Sequence, residues 1–520
     1  MATASRSSSV RNAIVVLVLL GLSVAGTRPW SVRAQAEPSG AADSVEVSQN
    51  EPPPAIRARA DTVGARGDSV GRNGPPTVIL PARHPVRTRF ESATDTLETW
   101  PGAFVYDLGE PLLPDGWTRL GLSPRSVDLR LGPFAFDDPL TGRPLFDLLP
   151  FEWTEPLHPG GAAGASVGAA TRLRSFATIL PRTELRYRAG SGTQQFVAAS
   201  HVQQWQPGIA GSSDSLRVLF GFRGSSTNGI YPNADARLRQ ALGRIDYERD
   251  RWSLRLTNLY TSHRRGSHGG VLPRGSRSSL FVPLGAQVAF PRARTRIERN
   301  GFRGRLRYAW SPAGAVSTAR PYLLWHDRVY RRAGDTLTVK TRERGLRIEH
   351  RFRWPGQDLR VAASLGAVDL GAPSESPVED PYRTAELSAR YRWTEVNWGL
   401  RFGGRLGRER GYAVGGVSGE LGYGRGTASA ELAGGYDIEA PSPAASGAAA
   451  PLLGGDPTIG TSSRVHVEAR LGLSAANWHL AVQGGYQEQQ APILLRTGSE
   501  ADRAAFVQGS GPVGWTEAAV

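Results

Sequence analysis

The chain has no cysteine and only one methionine among its 520 residues. The lack of cysteine excludes disulfide scaffolds and thiolate metal sites, and it suits passage through an oxidising compartment. Leu, Ile and Met are scarcer than a soluble core of this length would need. Apart from one short apolar run near the amino terminus, no segment is long enough to cross a membrane as a helix. The composition therefore argues against a large soluble domain and against a helical membrane protein.

The amino terminus has the pattern of a Sec signal peptide. Arg6 and Arg11 precede an apolar run over residues 13–25, and Ala34-Gln35-Ala36 forms an A-x-A cleavage site. An N-terminal membrane anchor is the alternative, but it needs about 20 apolar residues and this run is shorter. We therefore expect a signal peptide over residues 1–36 and export of the mature chain.

A long alternating pattern extends from about Thr183 to Tyr486. Runs of roughly ten residues alternate apolar and polar, open or close with Trp or Tyr, and are separated by turns rich in Gly, Pro, Ser and Arg. This pattern is typical of a transmembrane β-barrel, although a soluble β-sandwich or propeller also has alternating strands. An exported chain with membrane-type strands belongs in the outer membrane of a Gram-negative bacterium.

We expect the barrel to occupy residues 176–520, with roughly fifteen or sixteen strands. Outer-membrane barrels normally finish on an aromatic residue, whereas this chain finishes on Val520. The pattern thus predicts an all-β barrel that is incomplete at its carboxyl terminus. Ala475 and Ala476 are expected to form a tight turn between two of its strands.

The polar face of the predicted strands is strongly basic. The residues expected to line the lumen are Arg303, Arg305, Arg307, Arg347, Arg351, Arg353, Arg390, Arg392, Arg401 and Arg405, with Glu349 and Glu386 as partial compensation. A positive field focused by low-dielectric walls would favour anionic solutes. Alternatively, these side chains form cross-strand Arg–Glu pairs that stiffen the wall.

Aromatic residues at the strand ends are expected to form the girdles that lie at the membrane interfaces. The candidates are Trp310, Trp354, Trp393, Trp398, Trp478 and Tyr486. Outer-membrane lipids and the barrel assembly machinery are the partners that such a barrel implies.

Residues 37–90 are polar and rich in Pro, Gly, Ala and Arg, so they cannot bury enough apolar surface to fold and are expected to form a disordered periplasmic linker. Within them, Asp43-Ser44-Val45-Glu46-Val47 resembles the TonB box that TonB-dependent receptors present for strand pairing. The resemblance implies TonB as a partner. The alternative interpretation is a chance match in a polar tail.

Residues 91–175 contain short apolar runs and many prolines rather than long alternation. The stretch from Val127 to Gly142, followed by the Gly/Ala-rich stretch from Gly160 to Ala170, resembles the plug domain of TonB-dependent receptors. In that family, short strands alternate with tight Gly, Pro and Asp turns. The resemblance implies a segment packed inside the barrel, where Gly and Ala allow the backbone to approach the wall closely.

A second resemblance begins at the barrel. The stretches Pro181–Phe196, Ser200–Gln203, Thr227–Tyr231 and His268–Val271 are similar to the first strands of a porin family of Bacteroidetes-type outer membranes. Those proteins have P-Y-T-x-L-x-Y, G-S, S-x-Q, G-x-Y and N-G-G-I in this order. Arg182 stands here for the usual aromatic residue and His268 for the usual Asn. The family has no established catalytic motif, so no residue role follows from the resemblance.

The sequence carries no pattern that indicates catalysis. The nine His residues lack metal-ligand spacing, and Ser200 and His201 are adjacent and so point to opposite faces of a strand. We expect no enzyme activity, no cofactor and no metal. The net charge of +15 would suit nucleic acid, but the arginines alternate along strands among Glu and Asp, so nucleic acid is not an expected partner.

Together these patterns favour a porin-like transport protein that moves small solutes, with anions preferred, across the outer membrane. One alternative is a TonB-dependent receptor that takes up a scarce ligand by plug displacement. The other is a non-transporting surface adhesin or scaffold barrel.

Overall fold

The computed structural model describes residues 97, 100, 103–106, 112, 116–119, 127–159, 168–175, 180–190, 193–206, 214–272, 286–311, 314–371, 382–441, 459–475, 478–490, 493–497, 504–508 and 513–519. All of them belong to one compact unit, Val70–Val520. The predicted signal peptide and the segment from Asp43 to Val47 lie outside the described residues, as do residues 37–90.

The amino-terminal part of the described chain consists of short elements. They are β1 (Ala103–Tyr106), β2 (Gly116–Arg119), β3 (Asp128–Leu131), β4 (Phe134–Ala135), two 3-10 helices (Phe146–Leu148 and Phe151–Trp153), β5 (His158–Pro159) and β6 (Gly168–Thr171). Strands β1 and β2 form a hairpin, and a four-stranded sheet has the order β4-β3-β6-β5, with β3 and β6 parallel. We call the described residues between 97 and 175 the plug segment.

Long strands follow. They are β7 (Arg182–Ala189), β8 (Gln195–Trp205), β9 (Ser215–Thr227), β10 (Ala236–Arg249), β11 (Trp252–Gly266), β12 (Val271–Leu272), β13 (Gln287–Val288), β14 (Arg294–Ala309), β15 (Val316–Arg332), β16 (Asp335–Trp354), β17 (Gln357–Gly371), β18 (Tyr382–Glu395), β19 (Trp398–Glu409), β20 (Tyr412–Arg425), β21 (Ala428–Glu439), β22 (Ser462–Ala475), β23 (Trp478–Gln490), β24 (Ile493–Thr497), β25 (Ala504–Gln508) and β26 (Val513–Ala519).

Sixteen of these strands form a single antiparallel meander, which we call the wall. Its order runs from β7 to β11, through β14 to β23, and ends at β26, while β12–β13 and β24–β25 are separate hairpins. Within the described residues, β7 and β26 are the two edges of the wall. The predicted all-β barrel with an amino-terminal plug-like segment is thus confirmed at the level of fold, and the wall has sixteen strands.

The two ends of the wall differ in how its strands are connected. At one end, the short-turn end, two-residue turns occupy 250–251, 355–356, 396–397 and 426–427. The opposite end, the long-loop end, has two such turns, 333–334 and 410–411, and carries the longer connections 228–235, 372–381 and 440–461. Strand β22 extends one residue further than predicted, because Ala475 still pairs with Trp478 as its final residue.

The two faces of the wall follow the alternation of the sequence. On β22, Val467 and Leu471 lie on the outer face, where Leu471 is 60% exposed, whereas His466 and Glu468 are buried on the inner face. A continuous exposed surface of this apolar character is typical of a face that lies against hydrocarbon. Within the described residues, no helix is long and apolar enough to span a membrane.

Exposed aromatic side chains collect near the short-turn end. Trp310, Trp354 and Trp398 are exposed there, and Trp398 packs on Tyr423 with ring centroids 4.6 Å apart. Trp252 was not among the predicted girdle residues, yet it is exposed and packs on Tyr308, with ring centroids 4.5 Å apart.

The remaining predicted girdle residues have other positions. Trp393 is half-buried on β18, two strands from Trp354 on β16, and Tyr486 is exposed further along β23 from the short-turn end. The side chain of Trp478 lies outside the part of the chain that the structure describes.

The hydrophobic core lies between the plug segment and the inner face of the wall. Plug residues such as Leu129, Phe136 and Trp153 are buried together with Leu238 and Ile297 of the wall in one apolar cluster. These inward apolar residues differ from the charged inner face that the sequence predicts. The difference has a physical reason, because a wall that packs against a folded segment must bury apolar surface there to stabilise it.

Candidate functional site

The wall holds the plug segment through polar side chains that donate to plug backbone carbonyls. The acceptors are the carbonyl oxygens of five plug residues. The contacts are Arg299 Nη1 to Asp137 at 2.7 Å, Arg303 Nη1 to Leu131 at 3.2 Å, Arg223 Nη1 to Leu149 at 3.2 Å, Gln240 Nε2 to Leu148 at 2.7 Å, and Arg244 Nη1 to Arg174 at 2.7 Å. Because the plug is made of short elements, its carbonyls are free to accept these bonds.

Two ion pairs between the wall and the plug add to this contact. Arg328 Nη1 lies 2.6 Å from Asp138 Oδ2, and Arg186 Nη1 lies 2.9 Å from Glu152 Oε2. Both plug carboxylates are buried, so removal of either arginine would leave an uncompensated buried charge.

Neighbouring plug carboxyls have opposite pKa shifts. Burial raises the pKa of Asp137 to about 7, and the nearby Arg299 only partly opposes it. Burial acts in the same direction on Asp138, but Arg328 and His326 outweigh it and lower the pKa of Asp138 to about 2. The plug therefore carries one carboxylate fixed by the wall and one carboxyl that titrates near neutral pH.

Aromatic plug side chains lie beneath wall arginines. The guanidinium of Arg303 lies 4.7 Å from the ring centroid of Phe134, and that of Arg223 lies 4.2 Å from the ring of Phe151. Trp153 packs against Gly221 of the wall so closely that a Cβ there would lie 2.6 Å from its Cε2 atom. A glycine at this position lets the indole lie flat on the wall.

A cavity of about 660 Å³ separates another part of the plug from the wall. The plug side is formed by β3, β4, β5 and β6, and the wall side by β11 and β14 to β18. Its wall arginines lie in the halves of the strands nearer the short-turn end. The cavity is therefore positioned beside the plug rather than at the long-loop end.

Arginine dominates the lining of this cavity. The charged side chains around it are Arg130, Arg172, Arg255, Arg303, Arg305, Arg320, Arg347, Arg360, Arg390, Glu349 and Glu386. Nine positive and two negative side chains line the cavity. Asp128, Glu155, Asp246 and Asp358 pair with four of these arginines from outside the lining, so the formal surplus is three positive charges (9 − 6). Both glutamates of the lining are engaged, since Arg320 lies 2.9 Å from Glu349 and Arg347 lies 3.3 Å from Glu386.

The structure divides the predicted lumen residues into two groups. Arg303, Arg305, Arg347 and Arg390, together with Glu349 and Glu386, lie around the cavity. The remaining predicted arginines, which do not line it, are Arg307, Arg351, Arg353, Arg392, Arg401 and Arg405.

Three arginines of the second group have acidic partners. Arg401 lies 2.7 Å from Glu420, Arg405 lies 2.8 Å from Asp437, and Arg351 pairs with Asp358. For these three residues the geometry is that of the alternative interpretation, in which ion pairs stiffen the wall.

Five further cavity arginines were missed by the sequence analysis. Arg255, Arg320 and Arg360 are on the inner face of β11, β15 and β17, where the same parity argument would have found them. Arg130 and Arg172 belong to the plug, and no local pattern could have indicated that they meet the wall. Across the described residues, no group of three or more His, Asp or Glu is arranged to hold a metal ion.

No protein-family model and no curated protein matches the chain by sequence. Solved structures do match in three dimensions. The siderophore receptor PirA from Acinetobacter baumannii matches 83% of this chain and 75% of its own, with 10% identity and a TM-score of 0.62. PirA from Pseudomonas aeruginosa matches 82% and 78%, with 14% identity and a TM-score of 0.58. The copper transporter OprC matches 80% and 74%, with 13% identity and a TM-score of 0.59.

The chain therefore shares its β-barrel fold with these siderophore receptors and with the copper transporter. These likenesses support the expected resemblance to TonB-dependent receptors at the level of fold. They do not specifically support the porin family, so that resemblance stays a prediction. The matched proteins are receptors and transporters, and the expectation that the chain is not an enzyme also stays a prediction.

Proposed function

We propose that this chain is an outer-membrane transporter of the TonB-dependent receptor type, which takes up a small anionic ligand when its plug is displaced. The observation that carries the proposal is the plug segment itself, which lies against the inner face of the wall from β7 to β18. The receptor-like fold of the matched structures supports the same function. The fold agrees better with the receptor alternative than with the porin-like interpretation.

Diffusion of solutes through an open lumen accounts less well for an interior that is occupied by the plug segment. A porin keeps a water-filled lumen. Here Arg223, Gln240, Arg299 and Arg328 are committed to the plug, and apolar wall residues are buried beneath it. A solute would have to pass a folded segment, so transport requires that this segment moves.

The hydrogen bonds between the wall and the plug suit a plug that is withdrawn and then returns to its position. Hydrogen bonds to backbone carbonyls exchange with water, so each contributes only about 0.5–1.5 kcal/mol net. The wall residues of the apolar cluster lie on β8 to β11 and β14, and the cavity leaves a gap between the plug and β14 to β18. We infer that the cavity side opens first and that ligand moves towards the short-turn end, which is the periplasmic end by its tight turns.

The ligand is expected to be anionic, because the arginine surplus around the cavity raises the local concentration of anions. An anionic metal chelate, by analogy with the siderophore and copper proteins that share the fold, fits this charge and the receptor-type mechanism.

Energised uptake tests the proposal. Cells that lack their own receptors would express the full chain, and uptake of ferric citrate would be followed with and without a protonophore. We expect uptake that stops when the proton-motive force collapses and that is lost when residues 43–47 are deleted. Uptake that continues in de-energised cells at the same rate would support a diffusion porin instead.

A further inference from the structure

Three pairs of cavity arginines lie directly opposite each other on neighbouring strands. The pairs are Arg255 with Arg305, Arg320 with Arg347, and Arg360 with Arg390. Like charges in this arrangement destabilise a sheet. Away from the cavity, Arg392 and Arg401 also lie opposite each other, and there Glu420 lies 2.7 Å from Arg401. At the cavity, Asp246 pairs with Arg255 and Asp358 pairs with Arg360. Arg305 and Arg390, the other members of those two arginine pairs, have no carboxylate partner among the described residues. The charge of these two arginines is therefore available to a ligand.

Several guanidinium groups at the cavity have no carboxylate partner or keep one N–H group unpaired. In the part of the chain that the structure describes, Arg303, Arg305 and Arg390 form no ion pair with a carboxylate. The Nε atoms of Arg305 and Arg347 are buried and have no hydrogen-bond partner there. A buried donor without an acceptor is destabilising, and an anionic oxygen atom would remove that cost.

We propose that the cavity is a binding site for a small ligand that carries two or more carboxylate or phosphate groups. Its volume of about 660 Å³ lies within the range of small-molecule sites. The planar fork of arginine matches both oxyanions, and several forks around one space favour a multiply charged ligand over a single anion. The proposal rests on the proposed function only for the direction in which the ligand is released.

The plug supplies part of this site. Arg130 and Arg172 line the cavity from β3 and the residue after β6, and Asp128 and Glu155 hold these two side chains in place. When the plug moves away, the site loses two of its nine arginines and the plug surface that closes the cavity. Plug displacement would thus weaken binding and release the ligand. The cavity is therefore a transient binding site on the transport route, and the position of the plug controls its affinity.

Equilibrium binding to the purified full chain tests the site. Citrate and pyrophosphate would be titrated by calorimetry in detergent, with the neutral triamide of citric acid as the uncharged comparison. The test variant is Arg305→Gln/Arg390→Gln. The matched control is Arg307→Gln/Arg392→Gln, which removes the same charge from the same two strands but away from the cavity.

We expect both anions to bind and the triamide to fail. The test variant should lose about tenfold in affinity, equivalent to about 1.4 kcal/mol, while the control changes by less than about twofold. Affinity should also fall steeply with salt. Lack of binding to the unmodified chain, or equal losses in both double variants, would overturn the site; preference for one anion would identify carboxylate or phosphate as the natural chemistry.

Three further variants keep the test decisive. If the double variant does not fold, Arg305→Lys and Arg390→Lys keep the charge but lose the planar fork, and unchanged affinity in both would overturn the proposal. Arg172→Gln on the plug should weaken binding several-fold, and no change would overturn the plug's share in the site. Uptake that is independent of energy, with citrate binding intact, would refute the proposed function and leave the site standing.

Discussion

Arg360 and Arg390 face each other across the ladder of β17 and β18, on the inner face of the wall. Arg390→Gln should relieve their repulsion and raise the stability of the folded chain by about 0.2–1 kcal/mol. Thermal unfolding in detergent measures the change. Arg405→Gln is the control, because Arg405 has Asp437 at 2.8 Å and no arginine directly opposite it, so its removal should give no gain. A loss of stability in Arg390→Gln would mean that the arginine is compensated in a way that its neighbours do not explain.

The titration of Asp137 should make plug seating depend on pH. Its pKa is raised from 3.8 to about 7, so the seated plug binds a proton that the released plug does not bind between these values. Stability from this group is therefore complete below about pH 4 and falls as the pH rises towards 7. Hydrogen exchange of residues 128–148 should show more protection at about pH 5 than at about pH 8, and Asp137→Asn should remove that difference. Equal protection at both values in the unmodified chain would contradict the prediction.

The neighbouring Asp138 should behave in the opposite way. Its pKa is lowered from 3.8 to about 2, so the stability from the Arg328 ion pair is present above the unfolded pKa and is lost only as the pH falls through the folded one. Between pH 5 and 8 the pair should therefore give a constant contribution. Asp138→Asn leaves Arg328 unpaired and should loosen the plug by about 3–5 kcal/mol across that range. Limited proteolysis of the plug segment measures this loosening. A loosening that varied between pH 5 and 8 would argue against the lowered pKa of Asp138.

Gly221 should be intolerant of a side chain. Gly221→Val would drive a methyl group into the ring of Trp153 and should unseat the plug by about 1–3 kcal/mol, since the packed interior adapts only partly. Gly243→Val is the matched control, because a Cβ at Gly243 meets no atom within 4 Å. Tryptophan fluorescence and protease sensitivity of the plug would report the difference. The packing at Trp153 would be looser than described if both variants behaved alike.

The outer face is tested at β22. Leu471→Arg places a charge on a side chain that is 60% exposed on the apolar face, and it should destabilise the barrel by about 2–4 kcal/mol if that position is near mid-membrane. Gln483→Arg is the comparison, because Gln483 pairs in register with the inward-facing Arg470 and should tolerate a charge. Folding titrations into lipid vesicles give both values. Equal losses would mean that the two faces are assigned wrongly.

Much of the wall could be predicted because a β-strand has period two. On β16, Leu346 and Ile348 are exposed on the outer face, and Arg347 and Glu349 lie inward, as the alternation of the sequence indicates. Strand β22 ends one residue later than predicted, because small residues such as Ala475 carry little information on where a strand ends.

The contacts of the plug could not be predicted from local patterns. Leu238 and Ile297 are inward apolar residues on strands that also carry inward arginines, and only the plug explains their burial. Arg130 and Arg303 meet at one cavity, although no periodicity links β3 to β14. Such pairings depend on the three-dimensional arrangement of the whole chain and leave no trace in a short window of sequence.

The long sequence separation between the plug and its wall partners has a kinetic consequence. Asp138 precedes Arg328 by 190 residues, and Leu131 precedes Arg303 by 172. The entropy of closing such loops grows slowly with length, but non-local contacts form late and slow the search for the native state. The plug is made first and can complete its apolar core only when strands that follow it much later are in place. Its docking should therefore be among the last steps of folding, after the wall has assembled around an unformed segment.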